Sequence, residues 1–568
     1  MTRTGTILLA AAFAASTTAA SAQSTASASE AHIQDLMRQA AERLGLQAQT
    51  GTPPTQTPTT VPAAQPATRP VVQLTLDEAV KLALDRNLDI AVQRSNPEIN
   101  DIAIARISSI YHPSLTSTLN TSSQTTPVTS AIGGAGSAGV PIVTGLSTYN
   151  AGVSESVPWG GGSFNVALNN NKQTSTSQNS LYNPTYNTNW SAVYTQPLLR
   201  GFSTDINRQA LQVTKISRDI SDVQLRSTIT NTLSNVRNAY WNYVYTVQAT
   251  DVAQQSVNLA DQLVKDNQTR VEVGTMAPID VVTAQSQAAT ARQNLVAAQS
   301  AMYTNELALK RLIVSGTQDP NWNARLDPID RPEFRPETID IASAVRRALD
   351  ERTDLDIAKK NVEANAVTLK YLNDQTKPQA DFVGTYGLIG VGGSQLLFAP
   401  GSTGVNRESI GSIPGGYVDA LSSLFTTNFP RWTAQINFSY PLGMSSQQAS
   451  VARARVQLGQ VQAQVKQIEL QVATDVTNAA VTAQSNAERV QAAQAARELA
   501  QKTMEAEQSK FEVGMSTNYN VILTQRDLAT AQINELQAIL NYRISLVELE
   551  RLQQTTLQNL NVTLLTPQ

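Results

Sequence analysis

The sequence predicts a membrane protein of the α+β class, built from a helix–strand–strand–helix–helix unit that occurs twice. Three observations predict it. RVEVGTMAPIDVVTAQ (270–285) and KFEVGMSTNYNVILTQ (510–525) repeat one phrase 240 positions apart. Each is flanked by long stretches in which Ala, Val, Leu and Ile recur at three- and four-residue spacing among Gln, Asn and Arg, as in coiled-coil helices. YNTNWSAVYTQP and RWTAQINFSYP alternate between an aromatic-rich and a polar face, as barrel strands between lipid and water do.

Composition agrees with long helices more than with thick globular cores. Only 5% of the 568 residues are aromatic, and Ala, Gln, Asn, Ser and Thr fill much of the rest. The formal charge of −3 comes from 42 basic and 45 acidic residues without long runs of one sign, so nucleic acid is not an expected partner. The absence of Cys excludes disulfides, thiolate nucleophiles, Cys-ligated metals and a lipidated Cys. His32 and His112 are the only histidines, and a His-based metal site needs carboxylates or a second subunit to complete it. GGAGSAG (133–139) lacks the Lys-Ser/Thr ending of a phosphate loop. No catalytic, metal or cofactor residue is assigned.

Along the chain, residues 1–22 read as an export signal: Arg3, the apolar ILLAAAFAA (7–15), and Ala20-Ser21-Ala22 for cleavage. No run of about 20 apolar residues follows, so no transmembrane helix is expected. Membrane contact is then left to a β-barrel or to the surface. Residues 23–73 hold a short amphipathic helix (Ile33, Leu36, Met37, Ala40, Leu44) and a Pro/Thr-rich linker, read as an appendage.

The first repeat is placed at 74–325, with helices 76–111, 203–272 and 278–313 and strands within 114–200. The second occupies 326–560, with helices 339–377, 446–512 and 517–557 and strands within 380–442, followed by a tail at 561–568. DEAVKLALDRNLDIA (77–91) is echoed by ASAVRRALDERTDLDIA (342–358), and each opening helix ends before a proline, Pro113 or Pro378. Helices of this length span about 100–105 Å for the long ones and about 54 Å for those at 76–111 and 278–313. Each repeat therefore suggests one long helix beside two half-length helices stacked end to end.

The strands place Tyr186, Trp190 and Tyr194, and Trp432, Ile436, Phe438 and Tyr440, on aromatic faces that are candidates for lipid contact. Of the 30 aromatics, 17 fall within 114–202 and 380–442, where interfacial anchoring is needed. SFNVALNNN (163–171), after the PWGGG turn, alternates too and reads as an extension into an extracellular hairpin. The insertion at 390–428 carries a short helix in GYVDALSSLF (416–425). Soluble sandwich strands with one wet face are the alternative. If two strands per repeat cross the membrane, four per chain cannot close, and open edges in lipid leave backbone groups unpaired. A dimer gives eight strands filled by side chains, and a trimer gives twelve that leave room for a lumen.

The order and spacing of these features resemble the TolC-like outer-membrane efflux and secretion channels over residues 74–560. The resemblance rests on the duplicated plan, the QPLL (196–199) and YPLG (440–443) strand ends, NAYWNYV (238–244) and the paired V-G turns. It implies a homotrimer whose twelve-stranded β-barrel in the outer membrane is continued by a long α-helical periplasmic barrel of coiled coils. It also implies a periplasmic adaptor protein and an inner-membrane pump as partners, with the chain a passive conduit and not an enzyme.

Gly274 and Gly514 suit the left-handed position that ends a helix, and geometry alone accounts for them. The resemblance adds adaptor contact for Val273, Gly274, Thr275, Val513, Gly514 and Met515. It places the periplasmic gate just beyond these turns. The family's carboxylate positions are Asn520 and Leu523 here, its aromatic is Phe511 without a hydroxyl, and its lock arginine is Ser516. Asp280 is the acid that remains. Closure is therefore expected to rest on apolar contact around Phe511 and Leu523. The rival readings are a non-conducting periplasmic coiled-coil scaffold and a secreted hydrolase.

Overall fold

The polar faces of Gln- and Asn-rich helices leave only narrow apolar seams, and the chain buries them by laying helices side by side. The computed structural model describes residues 70–128, 134, 140–331, 334–402, 409–426, 429–443 and 445–562. The expected signal, the helix at 30–46, nearly all of the linker, most of GGAGSAG and residues 563–568 lie outside them.

Two long helices dominate: α3 (Ile206–Glu272) and α9 (Ser446–Glu512), each of 67 residues and so about 100 Å long. Along α3 lie α1 (Leu76–Arg86), α2 (Leu88–Ser108) and, further on, α4 (Pro278–Ile313). Polar pins fix the stacking: Asn100 donates to Ser221 at 2.7 Å on the α2 side, and Arg292 pairs with Asp261 at 2.9 Å on the α4 side. Along α9 lie α6 (Ile341–Glu351), α7 (Thr353–Gln375) and α10 (Asn518–Leu552). There Arg497 pairs with Glu535 at 2.7 Å.

The helices expected over 76–111 and 339–377 are each broken, at Asn87 and Arg352, whose backbones are extended (ψ 126° and 127°). At the first break the Asn87 carboxamide oxygen accepts from the amides of Asp89 and Ile90, restarting the helix as an N-cap. The same side chain donates to the Leu312 carbonyl, tying the break to the end of α4.

The largest apolar core sits at mid-helix of α3, where Leu233, Val236, Tyr240 and Tyr243 meet Leu74, Leu309, Ile313 and Leu326. Here β1 (Val71–Leu74) pairs in parallel with β6 (Arg325–Pro328); between α4 and β6 runs the single turn α5 (Pro320–Asn323). Tyr240 donates to Asp330 at 2.8 Å and Tyr243 to the Leu326 carbonyl at 2.5 Å, so NAYWNYV clamps the strand pair. Beside it the buried Lys310 pairs with Glu306 at 2.7 Å and donates to the carbonyls of Trp322 and Ala324, so that neither charge is left alone.

The second sheet has seven antiparallel strands. β2 (Ser114–Thr126), β3 (Ile142–Ser156), β4 (Ser163–Ser175), β5 (Tyr182–Pro197) and β7 (Gln379–Phe398) lie side by side in that order. β9 (Pro430–Ser439) and the short β8 (Ser409–Ile413) share the far edge of β7. Two strands per repeat is therefore corrected: the first repeat has four long strands and the second has two. SFNVALNNN extends no outer hairpin; it is β4, paired along its length with both neighbours. In the second repeat the helix expected in GYVDALSSLF is α8 (Tyr417–Phe425). The last described element is the single turn α11 (Thr556–Asn559).

Candidate functional site: the helical tips and the sheet wall

Helix α3 leads into α4, and α9 into α10, through turns of identical construction. The Thr275 amide donates to the Arg270 carbonyl at 2.8 Å and the Gly274 amide to Val271 at 3.0 Å. The Met515 amide donates to Lys510 at 2.8 Å and Gly514 to Phe511 at 3.2 Å. Both are Schellman caps, which require a left-handed residue after the helix; Gly274 and Gly514 supply φ of +77° and +81°. The caps turn apolar side chains outward: Val273, Val513 and Met515 are 68%, 71% and 78% exposed. Thr275 is exposed as well, its hydroxyl bound to the Arg270 carbonyl.

The two turns lie at one end of the helical layer because a small core joins them. Leu263, Ala284, Phe511 and Val521, one from each of the four helices, pack together. The Arg270 guanidinium stacks 4.4 Å from the Phe511 ring and donates to its carbonyl at 3.3 Å. Asn267 donates to Asn518 at 3.0 Å, and Asn518 in turn donates to the Asp280 carbonyl at 3.2 Å. One buried carboxamide thus bridges three helices from both repeats.

The gate candidates distribute as follows. Phe511 is buried in the joining core, with Ile522 rather than Leu523 packed against it. Leu523 is half-buried. The Ser516 hydroxyl donates to Glu507, and the Asn520 carboxamide reaches Ser516 at 3.5 Å. The Ser516 hydroxyl, and after it Lys510, hold the Glu507 carboxyl below the usual carboxylate range. Asp280 contributes its backbone carbonyl to the bridge. Counting from the glycines missed Asn267, Arg270, Glu507 and Asn518. A signal existed: Asn267 and Glu507 stand at the same distance before Gly274 and Gly514.

At the other end of the long helices stands the sheet, and its register assigns its faces. Tyr186, Trp190 and Tyr194 oppose Gly392, Leu388 and Gly384; Tyr386, Phe382 and Ala380 oppose Trp432, Ile436 and Phe438. Cross-strand partners share a face, so the aromatic candidates of both repeats fall on the same side. Trp190 and Tyr386 meet edge to face at 6.0 Å. Part of this face is covered by α8, whose Ala420 lies against Gly390 and Gly392; a Cβ on Gly390 would fall 2.1 Å from the Ala420 carbonyl oxygen. Tyr186 accordingly packs on Tyr417 of α8, at 6.3 Å. The opposite face carries Asn150, Asn169, Asn171, Asn187 and Asn189, with Asn187 donating to Asn171 at 3.0 Å.

An antiparallel sheet with one aromatic and one asparagine-rich face, joined to helices about 100 Å long, defines an outer-membrane channel of the barrel-and-tunnel type. The chain belongs to the outer membrane efflux protein family, whose model matches residues 162–314 and 344–553. It is therefore an outer-membrane transport protein reaching into the periplasm, not an enzyme.

Solved structures agree in fold. The CmeC outer membrane channel of Campylobacter jejuni matches with a TM-score of 0.60 at 13% identity, over 86% of this chain and 88% of that one. VceC, an outer membrane protein of Vibrio cholerae, matches at 0.57 and 13% identity, over 84% and 95%. The open state of the MtrE outer membrane channel of Neisseria gonorrhoeae matches at 0.55 and 15% identity, over 84% and 88%. No curated protein sequence matches the chain.

Proposed function

We propose that three copies of the chain form the outer-membrane duct of a tripartite efflux or type I secretion assembly. Substrate passes passively from a periplasmic adaptor and inner-membrane pump to the exterior. The observation that carries this reading is the pair of matching capped turns, brought to one end of the helical layer and opposite the sheet. That end presents Val273, Val513 and Met515 to solvent, an apolar surface of the kind a partner's helices cover. The aromatic face of the sheet, including Trp190, Tyr194, Trp432, Ile436 and Phe438, is the lipid side, apart from the patch under α8.

In this reading Asn267–Asn518 and Arg270–Phe511 hold the tips together at rest, and adaptor contact shifts the helices out of that packing. The chain has no Cys, so a single engineered disulfide between neighbouring tips is a clean test. Confirmed crosslinking should abolish export without preventing assembly. Export that continued through fully crosslinked tips would overturn the opening mechanism.

A further inference from the structure

We infer that the transmembrane wall is an eighteen-stranded barrel, closed by pairing β2 of each copy with β9 of the next. The inference rests on the three-copy reading above. Each chain brings six long strands, β2, β3, β4, β5, β7 and β9, and the register sets five of them level: Ser114, Ser154, Asn165, Val193 and Thr385 follow one another across the sheet, with Thr433 next on β9. The strands alternate in direction and are even in number, so β2 and β9 run antiparallel and head-to-tail closure into a ring is possible.

Both edge strands are exposed along their whole length, including Leu119 at 76% and Trp432 at 72%. Lipid does not tolerate such open edges. The hairpin β2–β3 precedes the segment that matches the family model, which begins at residue 162. Barrel diameter grows roughly in proportion to strand number, so this wall is about half as wide again as a twelve-stranded one. Eighteen strands leave an aqueous channel. It is lined here by asparagine carboxamides on the face opposite the aromatics, and the narrowest point of the duct then lies away from the membrane.

The test uses the full-length protein with one cysteine at Ser114, Thr116 or Thr118 and a second at Thr433, Gln435 or Asn437. Oxidation should yield a covalent species of three chain masses for at least one pair. A parallel panel joins Asn165, Ala167 or Asn169 of β4 to the same β9 positions and should stay uncrosslinked. Crosslinks in the β4 panel, or none in either, would overturn the eighteen-stranded wall. Native mass of the unoxidised protein separates the two readings, since a copy number other than three defeats the proposed assembly itself.

Discussion

The carboxamide of Asn267 donates to that of Asn518 at 3.0 Å, with both side chains almost fully buried, and this bond joins the first repeat to the second seven residues before one tip and four after the other. A buried amide left without its partner loses its desolvation compensation, at a cost of about 1–3 kcal/mol. Asn267→Ala should therefore loosen the tips and raise the open fraction of channels in a planar bilayer. Asn518→Ala should do so more strongly, since it also releases the Asp280 carbonyl. Conductance equal to the parent in both variants would remove the pair from the closing mechanism.

The Arg270 guanidinium over Phe511 combines ring attraction with a hydrogen bond to the Phe511 carbonyl. Arg270→Ala should destabilise the tip by about 0.5–2 kcal/mol. In a cycle with Phe511→Leu the two losses should not add, as expected for groups in contact. Hydrogen exchange at the tip amides reads this directly.

Gly274 and Gly514 have left-handed backbones, and a Cβ there meets no atom within 4 Å. Gly→Ala at either position should cost about 1–2 kcal/mol, through backbone conformation alone. By contrast, Val513→Asp and Met515→Asp alter exposed side chains and should change thermal stability by no more than about 0.5 kcal/mol. The proposed adaptor contact predicts that these two variants nonetheless lose export. Normal export from folded Met515→Asp and Val513→Asp channels would place the adaptor elsewhere.

Glu507 titrates below its ordinary value of 4.5 because the Ser516 hydroxyl and Lys510 stabilise the carboxylate. The folded pKa is lower than the unfolded one, so the contribution to stability is present above the unfolded value and is lost as pH falls through the folded value. Ser516→Ala should raise the folded pKa toward the ordinary value and move the loss to higher pH. Carboxyl NMR titration of Glu507 in the two proteins checks both the direction and the cause.

Tyr240 is fully buried and donates to the Asp330 carboxylate at 2.8 Å, with the Leu74 carbonyl at 3.1 Å. Tyr240→Phe preserves the ring and removes the donor from a charged acceptor. The expected loss is about 1.5–3 kcal/mol, visible as a lower midpoint of thermal unfolding.

The helical half of the fold was legible because its signals are long and punctuated. Apolar spacing over some 67 residues, ended by Val-Gly, specifies α3 and α9. The breaks at Asn87 and Arg352 were not legible, since the apolar pattern runs through them and only local backbone marks the stop. In the sheet, β4 and β5 carry Phe164, Tyr186, Trp190 and Tyr194, whereas SLTSTLNTSSQTT of β2 has no aromatic and sets only Leu115 and Leu119 among Ser, Thr, Asn and Gln. A strand whose alternation is marked by two leucines alone is nearly silent in sequence. At the tips the glycines announced the turns. The Asn267–Asn518 bridge stayed hidden because it pairs positions of different rank in the two repeats, which counting within one repeat does not connect.

The most direct test of the channel reading is native mass spectrometry of the protein released from outer membranes in mild detergent. A species of three chains is expected, one that requires detergent to stay in solution as an aromatic-faced barrel must. A monomer that remains soluble without detergent would contradict it, and would make the aromatic face of β5, β7 and β9 part of a soluble protein's interior.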